Sequence, residues 1–345
     1  MSSAVDAEIR FAAPRPDGWE FGPEPAIRPA APAAATGRPR TIPYFEDSFI
    51  SAGQTYAYRM VGSNPRQSGR RTVVPVVIVP LRFVFADGQK LDPGRTTAEL
   101  RRSPIFRRAT FGGDTTQYGD AVQRAEFWAY TQGTGYHALL ARPSVTHTVV
   151  VRVPASDGSI RQSSHGGTVG LVDEQFFSLH VVPRIVNGKR LPPTKLLVFW
   201  SYNVDLQSPG SSGVILGEHS LGRDRAGTTI WTWVWASWHT PDTVPEADAD
   251  IAPLSHEIAE WYNNPFAANV VPSWSAPPYS CNDLLEVGDP LVGMTFVKDG
   301  YHLQDEAFLA WFAREVPSTA LGGMYSLIGT LTAVPPVCSS ACSRR

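Results

Sequence analysis

The sequence is poor in cysteine and in charged residues, and it has no long apolar run. Only 3 of its 345 residues are cysteine, and charged residues make up 18% of the chain. The longest apolar stretch, VVPVVIVPLRFVF at 73–85, contains two prolines and Arg82. It is shorter than the roughly 18 residues that an apolar helix needs to cross a bilayer. We therefore expect no membrane span.

A large excess of charge of one sign is also lacking, because the formal net charge is only -2. A chain without a strong positive field has no general attraction for nucleic acid, so we expect no nucleic-acid partner. The first residues, MSSAVDAEIRFAAPRPDGWEF, show no basic segment followed by an apolar one. No secretory signal peptide is therefore visible, and the residues alone leave the localisation open.

The three cysteines do not decide the redox compartment. Cys338 and Cys342 lie close together, at a spacing that fits a local disulfide better than a metal site. Cys281 would then keep a free thiol. The sequence is equally compatible with no disulfide.

The composition that is present predicts a globular protein with an ample core, since 43% of the residues are hydrophobic. Residues 1–40 are rich in proline and alanine, which predicts a disordered or extended leader. Residues 41–345 are expected to form one domain. A boundary near residue 265 would separate a smaller, irregular part at 266–345.

Local patterns predict both strands and helices in that domain. We expect a hairpin at 41–62 and further strands at 73–85, 145–153, 195–204, 213–220 and 228–238. Residues 73–85 are expected to be a buried strand or a pair of strands, and the prolines predict that this segment lies at an edge or is broken by a bulge. Helices are expected from Thr96, over 118–131, after residue 252 and around 305–315. This order predicts the α+β class, with a twisted mixed β-sheet packed on helices.

One of these helices carries residues with chemical potential. The segment PLSHEIAEWYNNPF at 253–266 has an apolar stripe that repeats at i, i+4 and i+7 from Leu254. Pro265 disfavours helix at the residue before it, so the helix should end at residue 262 or 263. His256 and Glu260 are four residues apart and therefore stack on a second face of the helix.

That spacing suits a metal ion. Two side chains at i and i+4 can converge on one ion, and zinc accepts both imidazole and carboxylate ligands. Glu257, next to His256, could then act as a base toward a water molecule without binding the metal. The alternative is an ordinary His–Glu pair on a solvated helix face.

A zinc site needs a third protein ligand, and the segment CNDLLEVGDPLVG at 281–293 offers two. Glu286 and Asp289 are acids in a loop that is otherwise mainly apolar. The alternative for this loop is a solvated turn, because glycine, aspartate and proline are common turn residues.

The pair of motifs LSHEIAEWYNNP and LEVGDP resembles zincin-like metalloproteases with a His-Glu-x-x-Glu helix, and bacterial secreted proteins of uncertain function. A weaker similarity connects the helix to the plant phosphate-induced, exordium-type proteins. The resemblance covers only residues 253–265 and 286–290. The second histidine of typical zincins is replaced by Glu260, and an additional negative ligand makes zinc a weaker Lewis acid.

The resemblance implies a zinc-dependent hydrolase, with a peptide or protein as substrate. Zinc would be held by His256, Glu260 and Glu286, with Asp289 as a replacement ligand or as a group that orients one. Glu257 would be the general base. The resemblance also implies a location outside the cytoplasm, in the periplasm or the extracellular space.

Two further histidines and a row of tryptophans lie just before the motif helix. Trp231, Trp233 and Trp235 alternate along one predicted strand, so their side chains share one face of the sheet. That face is either part of the core or a platform bordering a substrate cleft. His239 follows this strand directly and is a stronger candidate for the cleft than His219.

The tryptophan row supports an alternative of another class. In it the protein is a non-catalytic, secreted binding protein on a zincin scaffold, with a structural metal or none. The strand at 230–238 would then bind a sugar or a peptide. A purely structural globular protein is the third reading.

Overall fold

The fold is described from a computed structural model that covers residues 7–9, 19–21, 38–211, 213–276, 279–336 and 338. Strands are the dominant element in this part of the chain. They are β1 (Ala7–Ile9), β2 (Trp19–Phe21), β3 (Tyr44–Ser51), β4 (Gln54–Val61), β5 (Arg71–Val74), β6 (Val76–Val84), β7 (Lys90–Leu91), β8 (Ala109–Phe111), β9 (Asp114–Thr116), β10 (His137–Leu140), β11 (Ser144–Val145), β12 (Val149–Arg152), β13 (Gly158–Gln162), β14 (Thr168–Asp173), β15 (Leu196–Tyr202), β16 (Val204–Gln207), β17 (Gly217–Asp224), β18 (Ile230–Trp238), β19 (Val270–Ala276), β20 (Tyr279–Leu284), β21 (Thr295–Lys298) and β22 (Tyr301–Gln304).

The helices are fewer and mostly short. They are α1 (Thr96–Leu100), α2 (Tyr118–Glu126), α3 (Trp128–Thr131), α4 (Glu174–Phe176), α5 (Val182–Gly188), α6 (Ala252–Asn263) and α7 (Leu309–Phe312). A π-helical turn at Phe177–Val181 joins α4 to α5. No helix within the described ranges is long and apolar enough to cross a membrane.

A mixed sheet organises the molecule. Within the described residues it has nine strands, seven of them in the order β1-β12-β6-β15-β18-β17-β2, while β7 and β11 also pair with β6. The strands from β1 to β18 in this order are parallel, and β17 is antiparallel to β18. The α+β class and the mixed sheet predicted from the sequence are therefore confirmed.

The sheet separates two apolar cores, because successive side chains of a strand point to opposite faces. From β18, Val234 and Ala236 enter the core that contains α6. Trp233 and Trp235 enter the other core, where they pack against Phe177. The residues after 265 share the first core with α6.

Several predicted boundaries differ from the structure. The segment 73–85 forms β5 and β6, and β6 lies between β12 and β15 instead of at an edge. It is interior because its apolar side chains are buried on both faces, although Pro80 removes one backbone donor. The helix predicted at 118–131 breaks at Phe127, and the one predicted at 305–315 covers only Leu309–Phe312.

The hairpin predicted at 41–62 is present as β3 and β4. Most of the predicted leader at 1–40 lies outside the described residues; within it, Ala7–Ile9 pairs with β12 and Trp19–Phe21 with β17.

The cysteines correct one expectation. Cys281 is disulfide-bonded, whereas Cys338 has a free thiol that donates to the Trp274 carbonyl oxygen at 3.1 Å. A local disulfide between Cys338 and Cys342 is therefore wrong.

Candidate metal centre

The helix α6 is held in one rotational position by its apolar stripe. Leu254, Ile258 and Trp261 are fully buried, and the Trp261 indole N–H donates to Thr232 Oγ1 of β18 at 2.9 Å. The helix ends at Asn263, two residues before Pro265, as predicted. The polar face is directed toward β17, toward β22 and toward the loop that contains Gly288.

The polar face brings together three of the predicted ligands. His256 Nε2 lies 3.3 Å from Glu260 Oε1 and 3.8 Å from Asp289 Oδ1. One ligand atom from each lies within 4.8 Å of the other two, so the group could hold a metal ion. Tetrahedral ligands at zinc distances are on the order of 3.4 Å apart, so the observed separations suit such an ion.

The loop carrying Asp289 is fixed to α6 by its backbone at Gly288. The Gly288 N–H donates to Glu260 Oε1 at 3.1 Å, and its carbonyl accepts from Gln304 Nε2 at 2.8 Å. The same Gln304 nitrogen lies 2.9 Å from His256 Nδ1. A β-carbon at Gly288 would lie 2.4 Å from that Nδ1, so only glycine permits this approach. Asp289 is placed beside His256 as a consequence.

His219 of β17 reaches the same cluster from the other side. Its Nδ1 lies 3.2 Å from Glu257 Oε2 and 3.3 Å from Glu260 Oε2. His219, Glu257 and Glu260 form a second group of possible metal ligands. The Nε2 atom of His219 lies 3.6 Å from Glu286 Oε2. Among the described residues, neither of these two atoms has a hydrogen-bond partner. The other oxygen of Glu286 accepts from Asn264 Nδ2 at 3.1 Å.

The electrostatics of this cluster reflect four carboxyl groups around two imidazoles, and the charge of the buried Glu306 also acts on His256. Burial raises the pKa of Glu257, and burial together with the Glu260 charge raises the pKa of Glu286 well above its usual range. Burial acts in the same direction on Glu260, but the charge of His256 and hydrogen bonds from both imidazoles hold its pKa well below its usual value. The cluster therefore contains more carboxyl groups than imidazoles.

The predicted cleft residues lie elsewhere. Trp233 and Trp235 are buried in the core on the opposite face of the sheet, and the Trp231 indole N–H donates to the Leu191 carbonyl at 2.8 Å. The tryptophan row is therefore core, and the substrate platform is wrong. Alternation along the strand places the tryptophan side chains on one face of the sheet. The sequence pattern does not specify which face α6 covers, because that depends on the tertiary fold.

The sequence favours His239 over His219 as a residue of the cleft. In the structure it is His219 that contacts the cluster, whereas His239 lies elsewhere. His239 is fully buried, with Nε2 3.6 Å from Asp205 Oδ1, and burial lowers its pKa to about 3. It does not contact the cluster in the described part of the chain. His219 reaches the cluster because β17 contacts α6, and this contact joins residues 38 positions apart that no spacing in the sequence connects.

Comparisons of the chain with protein-family models, with curated proteins and with solved structures find no match.

Proposed function

We propose that the protein is a zinc-dependent hydrolase that acts on peptide bonds. The observation that carries the proposal is the convergence of His256, Glu260 and Asp289, with Glu257 on the same helix beside them. This set replaces Glu286 by Asp289 as the third ligand, because Asp289 is the acid that lies next to His256.

The donor set suits zinc. One imidazole and two carboxylates are ligands that zinc accepts, and their separations match a single ion. A buried excess of carboxylates is costly unless a cation compensates it. A divalent ion would compensate the excess of carboxylates over imidazoles.

Zinc in such a site supplies Lewis acidity, which polarises a carbonyl group and makes a water molecule more acidic. The chain supplies the proton transfer. Glu257 Oε1 lies 3.9 Å from His256 Nε2. It is therefore close to the proposed ligand set of His256, Glu260 and Asp289 but is not a member of it. From there it takes a proton from water and passes it to the leaving amine. The His219 ring lies beside its other oxygen and orients the carboxylate.

The solvent-accessible members of the cluster are His256, Asp289 and Glu286, so a substrate would reach the cluster past these three. Their side chains are 15%, 12% and 12% exposed, whereas those of Glu257 and Glu260 are 6% and 4% exposed. The disulfide of Cys281 favours the oxidising compartment in which a secreted peptidase works.

A second candidate is a binding protein in which the same cluster holds a structural metal. The observation in its favour is the ring of side chains that surrounds the position, with His219 and Glu286 opposite His256 and Asp289. Structural zinc sites are closed by protein ligands, whereas catalytic sites keep one position open. Binding through the tryptophan strand is not part of this candidate, because that strand is buried.

The deciding experiment begins with metal content. Untagged protein would be analysed by plasma mass spectrometry beside His256→Ala, followed by a screen of fluorogenic peptides. We expect zinc in the wild type, less in the variant, and hydrolysis by the wild type alone. Bound zinc without hydrolysis of any peptide would favour the structural role, and protein that binds no zinc would refute both candidates.

A further inference from the structure

We propose that the cluster contains a second cation position, between His219 Nε2 and Glu286 Oε2. This inference rests on the proposed metal centre and extends it from one ion to two. The ligand class at the second position is a divalent transition metal, since imidazole and carboxylate together suit zinc or manganese.

The first observation is an unpaired couple of buried atoms. His219 Nε2 and Glu286 Oε2 lie 3.6 Å apart, and neither has a hydrogen-bond partner among the described residues. The His219 side chain is only 6% exposed, so bulk water does not replace the missing partner. The separation is too long for a good hydrogen bond but is typical of two ligands on one ion.

The second observation is that neighbours already orient both donors. Metal-binding histidines commonly give their other ring N–H to a carboxylate, which leaves the free nitrogen directed at the ion. Nδ1 of His219 faces the carboxylates of Glu257 and Glu260 in this way. Glu286 is held by the amide of Asn264 at its other oxygen, which leaves Oε2 free.

The two positions are defined by different atoms. The ion at His256 would contact Glu260, whose other oxygen lies against Nδ1 of His219. Nε2 is on a different edge of the His219 ring, and its lone pair is directed away from that contact. An ion bound to Nε2 therefore lies on the Glu286 side of the ring, and Glu260 belongs to the surroundings of both ions.

Charge supports the same conclusion. Glu257, Glu260, Glu286 and Asp289 carry four negative charges when ionised, of which one divalent ion neutralises two. The remaining two lie in a region of low exposure, where unpaired charge is costly. A second divalent ion neutralises them with both imidazoles in the neutral form that binds metal.

The test is the number of ions per chain, which does not depend on activity. Metal-free full-length protein would be reloaded with zinc, and separately with manganese, and counted by plasma mass spectrometry and calorimetric titration. The variants are His219→Ala, Glu286→Gln and His256→Ala. The exposed His165→Ala is the matched control. Thermal unfolding would verify folding, and Glu286→Gln, which keeps the side-chain shape, decides if His219→Ala does not fold.

We expect two ions in the wild type and in the control, and one ion in each of the three variants. One ion in the wild type would overturn the second position. Loss of that single ion in His256→Ala would leave the proposed centre intact, and its retention there would refute that centre as well. Two ions retained by Glu286→Gln and by His219→Ala would also overturn the second position. An absence of bound ions in the wild type would refute this inference and the proposed function together.

Discussion

The backbone of Gly288 lies so close to the His256 ring that a β-carbon at this position would be 2.4 Å from Nδ1. The φ angle of Gly288 is -83°, which any residue adopts, so the contact and not the backbone conformation demands glycine. We therefore expect Gly288→Ala to displace the ring and to weaken zinc binding by about 10- to 100-fold, while the chain still folds. Calorimetric titration with zinc would measure the loss.

The control for this variant is Gly188→Ala, because a β-carbon at Gly188 meets no atom within 4 Å. It should bind zinc like the wild type. Unchanged zinc affinity in Gly288→Ala would contradict the assignment of His256 as a ligand, since the ring could not be both displaced and ligating.

Glu257 offers a direct test of the proposed chemistry. Glu257→Gln keeps the size of the side chain and removes its ability to take a proton. We expect hydrolysis to fall by at least about 100-fold while the metal content stays that of the wild type, because this carboxylate is not a ligand in the proposed mechanism. Turnover numbers with a peptide substrate and metal analysis on the same sample would measure both.

The exposed Glu246→Gln serves as the matched acid-to-amide control and should retain full activity. A Glu257→Gln variant that still turns over at the wild-type rate would eliminate Glu257 as the base. Loss of metal in that variant would instead make Glu257 a ligand.

The burial of Trp235 predicts a loss of stability without a loss of metal. Its ring is fully buried and packs against Phe177, with centroids 5.6 Å apart. Trp235→Ala should lower the free energy of unfolding by about 3–5 kcal/mol, since it leaves a cavity in the core. Urea unfolding would measure it, with the exposed Val297→Ala as control. If Trp235→Ala lost binding of a sugar or a peptide while its free energy of unfolding stayed unchanged, the tryptophan strand would again be a candidate binding surface.

Asp205 predicts a pH dependence of stability that is separate from the cluster. Burial raises its pKa from the ordinary 3.8 to about 6, although Arg161 donates to it at 2.8 Å. The folded protein therefore holds this proton more tightly than the unfolded chain does. The resulting stabilisation is complete below about pH 4 and is lost as the pH rises through 6.

Asp205→Asn lacks this titration. The stability of the wild type relative to the variant should fall by about 3 kcal/mol between pH 4 and pH 7. Urea unfolding of both proteins at several pH values in this range would measure it. A stability difference that stays constant with pH would show that Asp205 does not titrate as described.

Local features could be predicted from the sequence, and long-range ones could not. The limits of α6 follow from Pro265 and from the apolar repeat at Leu254, both of which act within the helix itself. The hairpin β3–β4 was equally predictable, because its residues alternate around one short turn. The class of the fold followed from the number and order of such local elements.

The residues of the candidate site show the same difference between local features, which the sequence predicts, and long-range contacts, which it does not. His256, Glu257 and Glu260 were predicted because one helix sets their spacing. His219 enters through the contact of β17 with α6, which brings together residues 38 positions apart that no local pattern connects. The sequence left the tryptophan row open between core and cleft, because alternation does not specify which face of the sheet the helix covers, and the structure shows Trp233 and Trp235 in the core.

Every residue of α6 except His256 is buried, on the sheet side as well as on the side of the cluster. Substitution anywhere along this helix therefore disturbs packing, whether or not the residue takes part in chemistry. A saturation scan scored by cell survival or protein abundance would show a nearly uniform band of intolerance over 252–263. The candidate base would not stand out from the structural residues in that scan, so the protein's chemistry has to be sought by biochemical assay of conservative variants.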